Sequence, residues 1–345
     1  MQMNIAIMEG DGIGPEVMRG TYPVLEAAAK RFGIGLGLEH ADGGDRVKSA
    51  TGAALPARSL EIISSSDACL KAPVGHCAAE VIVKLRQVLD LYANVRPAKN
   101  LPGIASVGQN MDLVVVRENT EDLYRGAEFE FDGGAIALRL ITAKATSRVA
   151  EYAAKLAAGR NRGKRVTCVH KSNVLKVTDG LFSKTCRETV AGFEGIHYDE
   201  MLVDAAAMNL VRSPSSFDVI VTSNLYGDIL SDEAAQIAGG LGFAPSANIG
   251  RDHAIFEPVH GSAFDIAGQD AANPVALILS AAMMFRHLAM KRGADECLLA
   301  AEAIEKSVSR LLSEGVRTPD AGGSCTTSQF GKAVANAVTD ARAPR

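Results

Sequence analysis

The sequence predicts an α/β protein organised around a parallel or mixed sheet. Three features lead there. Short β-branched runs recur at 4–8, 68–71, 113–116, 165–169, 197–203 and 218–222, each followed by helical periodicity or a glycine turn, the pattern of crossover connections. The stretch EFEFDGGAIALRLI (128–141) breaks that rhythm: two strands flank Asp132-Gly133-Gly134, which reads as a hairpin arm of the kind that pairs with another subunit. From Asn273 onward the chain reads as mainly helical. NPVALILSAAMMFRHLAM is apolar nearly all round and must be covered on every side, whereas 294–312 is amphipathic.

The first crossover carries GDGIGPEV (10–17) directly after the run 3–8. Strand, glycines and helix occur in the order of a dinucleotide fingerprint, but the spacing is G-x-G-x-G rather than G-x-G-x-x-G, and Pro15 suits the first residue of a helix. A tight strand-to-helix turn fits these residues better than a phosphate cradle.

At 345 residues the chain has room for two domain-sized cores, and it has no repeat, low-complexity segment or Pro/Ser linker that would separate them. The domains are therefore expected to interleave. A net charge of −4 with acids and bases interspersed argues against a nucleic-acid groove or a membrane-attracting patch, leaving a small-molecule substrate. The six cysteines form no C-x-x-C pair, which argues against zinc and disulfides, and neither a leader nor a membrane-length apolar stretch is visible, so a cytoplasmic location is expected.

Several residues carry chemistry. KLRQVLDLYANVRPAKN supplies Arg86 and Arg96, and VVVRENTEDLYRG supplies Arg117 at the end of an apolar strand. Three converging guanidinium forks would suit a di- or tricarboxylate; ordinary ion pairs to Asp90, Glu118 or Glu121 would serve equally. Tyr124 is a proton donor or a core aromatic. Lys171 follows the strand at 165–169, where open α/β sheets place ligands and a general base would be useful, though a single Lys more commonly snorkels to solvent. Asp204 reads as the end of a strand, while Asp228 and Asp232 are an i, i+4 pair on one helix face. Two carboxylates one turn apart repel unless a cation sits between them, and with no Cys or His nearby that cation would be Mg²⁺ or Mn²⁺ rather than zinc; N-capping or plain surface charge is the other reading. In FEPVHGSAFDIAGQDAANP (256–274) small residues let backbone amides reach a ligand, and Asp265 could accept both ribose hydroxyls of an adenosine, favouring NAD over NADP. A plain turn with a capping Asp is the other reading.

Taken in order, GDGIGPE, LRQVLDLYANVRPAK, VRENTEDLY, VHKSNVLK, VDAAAMNLV, SNLYGDILSDEAAQ and FEPVHGSAFDIAGQDAANP resemble the β-decarboxylating dehydrogenases, the family of isocitrate, 3-isopropylmalate, homoisocitrate, tartrate and D-malate dehydrogenases. The likeness runs from about residue 5 to 326. It implies a large cofactor domain of residues 1–92 and 238–345, and a small domain of 93–237 whose arm at 125–142 clasps a homodimer. Arg86, Arg96 and Arg117 would hold the malate moiety, Tyr124 and Lys171 would be the acid/base pair, and Asp204, Asp228 and Asp232 would hold the divalent ion, with Lys171 and Asp204 reaching into the neighbour's site. NAD would lie on His260, Gly261, Ser262, Ala263, Asp265, Ile266, Asn273 and Asn173, leaving 10–15 as a turn at the edge of the cleft. In this family the helix before the first Arg selects the substrate. Ile82 and Val83, at i−4 and i−3 from Arg86, would bury an isopropyl group for roughly 1.5–2 kcal/mol and strand a carboxylate. This resembles archaeal-type members acting on 3-isopropylmalate in leucine biosynthesis, with Lys84 leaving isocitrate and homoisocitrate as alternatives. A non-catalytic regulatory subunit would be expected to lack some of these groups, and all are present. Phe264 stands where most relatives carry Pro.

Overall fold

The computed structural model describes residues 2–160 and 162–340; the other residues of the expected domain ranges (1, 161 and 341–345) lie outside the described residues. Twelve strands form among them: β1 (Gln2–Met8), β2 (Gly35–His40), β3 (Ala68–Lys71), β4 (Ala93–Lys99), β5 (Asp112–Glu118), β6 (Glu128–Phe131), β7 (Gly134–Ala137), β8 (Arg165–His170), β9 (His197–Leu202), β10 (Val219–Thr222), β11 (Pro245–Ile249) and β12 (Ala254–Pro258). Ten of them make one mixed sheet in the order β2-β1-β3-β12-β11-β4-β5-β10-β8-β9. Both ends of the sheet are parallel, and the middle, β12-β11-β4-β5, is antiparallel. β3, β5, β8 and β10 form where the predicted runs are apolar on both faces and helices cover both faces, whereas the run at 197–203 forms the part-exposed edge strand β9 with its polar HYDEML. β2, β4, β11 and β12 were not visible as runs: GLGLEH is diluted by glycine, while Pro97, Pro245 and Pro258 interrupt or bound the other three.

One expectation is corrected. Asp204 does not end a strand: β9 stops at Leu202, paired with His170, and Asp204 lies in the first turn of helix Val203–Arg212. The Ala-rich DAAAMNLVR favours helix, and an acidic side chain near its positive end is stabilising. The hairpin forms as read, with Gly133 at φ +76° in the turn and Phe129, Phe131 and Ile136 each more than half exposed.

The glycine turn is a backbone-packing device. Gly10 and Gly12 have φ of +66° and +59°, and a Cβ on them would lie 1.9 Å from Pro73 O and 2.0 Å from Ser262 O. Asp11 N donates to Pro73 O (2.9 Å) and Ile13 N to Ser262 O (2.8 Å). The Asp11 carboxylate accepts from Asp45 N, Arg46 N and Gly75 N. The turn thus welds together the loops that leave β1, β3 and β12, three adjacent parallel strands whose carboxyl ends are where open sheets hold ligands. Helix Gly14–Phe32 begins here with Pro15 in its first turn, and its buried Glu16 accepts from Gly268 N (3.0 Å), Ala272 N (2.9 Å) and Thr327 Oγ1 (2.9 Å). This helix crosses Thr327–Asp340 so closely that a Cβ on Gly331 would stand 2.0 Å from Gly20 O.

Gly12→Ala should therefore destabilise the fold by at least ~2 kcal/mol, combining left-handed strain with backbone collision. Gly33→Ala, at φ +67° with open space around it, should cost only about 1 kcal/mol. Denaturant unfolding of the two variants checks the difference, and equal losses would contradict the packing role.

Candidate functional site

Three arginines converge where the antiparallel block meets helix Asn224–Ala238. In the β4–β5 ladder Asn94 opposes Arg117 and Arg96 opposes Val115, so Asn94, Arg96 and Arg117 share one face of the sheet. Arg86 enters from helix Lys84–Val88. All three are buried, Arg117 with only 1% of its surface exposed. Arg86 Nε donates to Asn248 Oδ1 (2.9 Å), and its Nη2 lies 3.6 Å from Glu257 Oε1. Arg96 Nε donates to Asn94 Oδ1 (2.6 Å), and its Nη1 bonds Ser231 Oγ (2.9 Å) and Asp232 (2.9 Å) and lies 3.2 Å from Asp228. Arg117 Nε donates to Asn224 O (2.8 Å) and Oδ1 (3.0 Å), and its Nη1 to Asp228, whereas its Nη2 is buried without a partner. Gly227 makes this approach possible, since a Cβ there would be 2.5 Å from Arg117 Cγ.

The neighbouring acids are engaged elsewhere: Asp90 pairs with Arg148, Glu118 accepts from Thr120 and Glu121 N, and Glu121 accepts from Thr142. Burial, then the charges of Arg96 and Arg86, pull the Arg117 guanidinium down to about 9. Burial alone would raise the Asp228 carboxyl, but Arg117 and Arg96 hold it below the usual range; Asp232, less well paired, is raised by burial. The Arg96 guanidinium lies within ion-pair distance of both carboxylates. Tyr124 donates to Asp228 Oδ2 beneath the Arg117 guanidinium, which sits 4.7 Å from its ring centroid. Burial and the Asp228 hydrogen bond raise the phenol, keeping it protonated.

Lys171 and Asp204 form a separate pair, Nζ to Oδ1 at 2.5 Å, and Asn173 is exposed on the same turn as Lys171. Among the described residues no three of His, Cys, Asp or Glu gather in a way that could hold an ion, so Asp204 does not join Asp228 and Asp232 within one chain. A trio missed in the sequence links the two groups. Arg139 pairs with buried Asp122 (2.6 Å) and Asp179, Asp122 accepts from Leu225 N (3.0 Å) at the start of the Asp228 helix, and Asp179 accepts Lys171 N (2.6 Å). Single charged residues in the unremarkable stretches VTDG and ALRLI gave no signal.

In the loop after β12, Gly261, Ala263 and Asp265 are exposed, Ser262 and Ile266 are half-buried, and His260 Nε2 is buried without a partner. Burial lowers the His260 pKa, keeping the ring neutral. Asn273 is already committed, accepting from Val275 N and donating to Asp320. Phe264 stacks on His76 at 5.5 Å and 15°, and Gly75 supplies the room, since a Cβ there would lie 2.8 Å from the ring. Ile82 and Val83 are half-buried in the turn Ala79–Val83 that leads to Arg86, while Glu80 turns away to Lys48. Below Arg86, Glu257 is buried against Lys71 (2.6 Å) and accepts from Asn248 Nδ2 (2.8 Å).

The isocitrate/isopropylmalate dehydrogenase family model matches residues 4–334. The chain is 48% identical over 332 residues to a protein of Sulfurisphaera tokodaii named 3-isopropylmalate dehydrogenase, covering 96% of this chain and 97% of that one. It is 45% identical over 344 residues to the isocitrate/homoisocitrate dehydrogenase of Thermus thermophilus, covering 98% and 99%. It superposes on the crystal structure of isocitrate dehydrogenase from Methylococcus capsulatus with a TM-score of 0.90 at 39% identity, covering 99% and 100%.

Burial would raise the Glu257 carboxyl, but Lys71 and Arg86 outweigh it and hold it at about 2, below the ordinary 4.5. A depressed carboxyl contributes stability above its unfolded pKa and loses it as pH falls through the folded one. Glu257→Gln should thus be less stable than the wild type by about 3 kcal/mol at neutral pH, with the gap closing between pH 4.5 and 2. Urea unfolding across that range checks it; a gap independent of pH would mean that Glu257 acts only by shape.

Proposed function

Because this chain belongs to the isocitrate/isopropylmalate dehydrogenase family, we propose that it oxidatively decarboxylates (2R,3S)-3-isopropylmalate to 2-oxoisocaproate with NAD and Mg²⁺ or Mn²⁺. The observation that carries this reading is the buried arginine cluster, in which Arg117 Nη2 still lacks an acceptor; the apolar Ile82 and Val83 precede Arg86 by one turn of the chain. Buried donors of this kind are costly unless an anion receives them. A carboxylate pair of the malate moiety would do so, and the isopropyl group would lie on Ile82 and Val83. Exposed Lys84 favours a second reading, isocitrate or homoisocitrate, since it could meet an additional carboxylate there.

Asp228 and Asp232 offer a hard, all-oxygen donor set, and the carboxyl that burial raises at Asp232 would be stabilised as an anion by a cation. Asp204 of a second copy would complete it. A divalent ion held there would supply Lewis-acid stabilisation to the substrate's C2 oxygen, and NAD would supply the hydride acceptor. Lys171 of the second copy receives the hydroxyl proton. Tyr124, held protonated by burial and by Asp228, delivers a proton to the carbon that lost CO₂. The adenosine would rest on His260, Gly261, Ser262, Ala263, Ile266 and Asn273, with Asn173 nearer the reacting end. Exposed Asp265 would take the ribose hydroxyls and repel a 2′-phosphate.

The reading includes a homodimer with shared sites, supported by the separation of the Lys171–Asp204 pair from Asp228 within one chain. It is supported by exposed apolar side chains on the elements next to that pair, Val174, Val177, Met208 and Val211, and on the hairpin. The small domain would comprise 93–237 with its arm at 125–142, and the large domain 1–92 and 238–345, the seam lying between β11 and β4.

Two experiments test the reading. Steady-state comparison of 3-isopropylmalate, isocitrate, homoisocitrate and D-malate should give the highest kcat/KM for 3-isopropylmalate, and Ile82→Ser with Val83→Asn should cut that preference at least tenfold; a wild type that oxidises isocitrate and ignores 3-isopropylmalate overturns it. Mixing Lys171→Ala with Asp228→Asn protein under verified subunit exchange should restore activity from two inactive parents, because both lesions fall into one of the two sites. If each site belonged to a single chain, no mixture would recover.

A further inference from the structure

Each of the three guanidinium groups is gripped in the same way. Arg86 Nε donates to Asn248 Oδ1, Arg96 Nε to Asn94 Oδ1 and Arg117 Nε to Asn224 Oδ1, at 2.9, 2.6 and 3.0 Å. All three asparagines are completely buried. Their amide orientation is set by what lies behind them: Asn248 Nδ2 donates to Glu257 Oε1 (2.8 Å) and Asn224 Nδ2 to Glu121 O (3.2 Å). Asn94 Nδ2 donates to Asn248 Oδ1 (3.1 Å), as does Asn119 Nδ2 (3.0 Å), so the Arg86 and Arg96 anchors are physically joined. The Nε–H is the back of the guanidinium fork. Holding it leaves the two terminal nitrogens turned toward the cluster's interior, where bidentate carboxylate recognition occurs.

An amide oxygen orients a guanidinium without neutralising it; a carboxylate at the same place would do both. We propose that Asn94, Asn224 and Asn248 are positioning residues whose neutrality is their function: they aim three buried arginine forks while sparing the positive charge for an anionic ligand. This rests on the reading of the cluster as the hydroxy-acid site. None of the three touches that ligand; each acts through its arginine. The low dielectric of the interior makes a single added charge there count heavily.

The test is to replace Asn224, whose amide faces only one carbonyl, by Asp and, separately, by Ala. Asn224→Asp keeps the shape and adds a negative charge; Asn224→Ala removes the oxygen and leaves Arg117 Nε its bond to Asn224 O (2.8 Å). In the folded enzyme, Asn224→Asp should raise the KM of the preferred hydroxy acid at least tenfold with the KM of NAD within twofold, and Asn224→Ala should raise the former by less. Thermal protection by the acid should weaken in the same order. Asn94→Asp carries the same expectation and stands in if Asn224→Asp does not fold. Asp variants with an acid KM within twofold of the wild type, or an Ala effect as large as that of Asp, overturn the inference. Wild-type protein that turns over none of the four acids overturns the functional reading instead, so the two failures are distinct.

Discussion

The architecture is governed by one constraint: several cations are kept out of water with too few carboxylates to balance them. Lys71, Arg86, Arg96 and Arg117 face Glu257, Asp228 and half-exposed Asp232. Desolvating an ion costs several kcal/mol, and partial pairing does not recover it. A cluster held in that condition requires rigid surroundings, since any slack would let the arginines swing to solvent. The antiparallel pairing of β4 with β5 provides the rigidity by fixing Asn94, Arg96 and Arg117 on one face, and Gly227 allows helix Asn224–Ala238 to close over them. The energy for this comes from the apolar cores on either side, where helices cover β3, β5, β8 and β10 on both faces.

The rest of the molecule divides labour around that cluster. Asp122, Arg139 and Asp179 connect the base of the hairpin, the Lys171 turn and the start of the Asp228 helix, so an arm that projects outward is mechanically linked to groups at the centre. On the other flank the loops after β1, β3 and β12 are fastened backbone to backbone at Gly10–Gly14, and the Phe264–His76 stack adds a second link between two of them. That stack gives the departure from Pro a physical role: the ring fills a seat that Gly75 leaves open.

Much of this was legible in the residues, for identifiable reasons. Buried parallel strands are apolar on both faces and announce themselves, so β3, β8 and β10 were found within a residue or two. β11 and β12, bounded by Pro245 and Pro258, were not, because an antiparallel block inserted between parallel ones depends on pairing across distant segments rather than on local pattern. Asp204 was placed on the wrong element, since a strand that ends where a helix begins leaves one residue either side of the junction ambiguous. The i, i+4 spacing of Asp228 and Asp232 marks two carboxylates on one helix face, but no pattern within that segment could reveal that Arg96, some 130 positions earlier, bonds Asp232 and lies beside Asp228. The anchoring asparagines gave no signal at all. In sequence a buried Asn and a turn Asn look alike, and only the partner at Nε tells them apart.

Glu16 binds Thr327 across 311 residues, and Gly20 and Gly331 bring two helices into backbone contact. This has a consequence for synthesis. At about 5–20 residues per second, the first long helix leaves the ribosome roughly 15–60 s before the segment that covers it is made. Throughout that interval Gly20 is without the close helix contact that Gly331 provides, and Glu16, buried in the folded protein, is without its Thr327 partner. The first long helix to appear is therefore among the last to gain all of its partners.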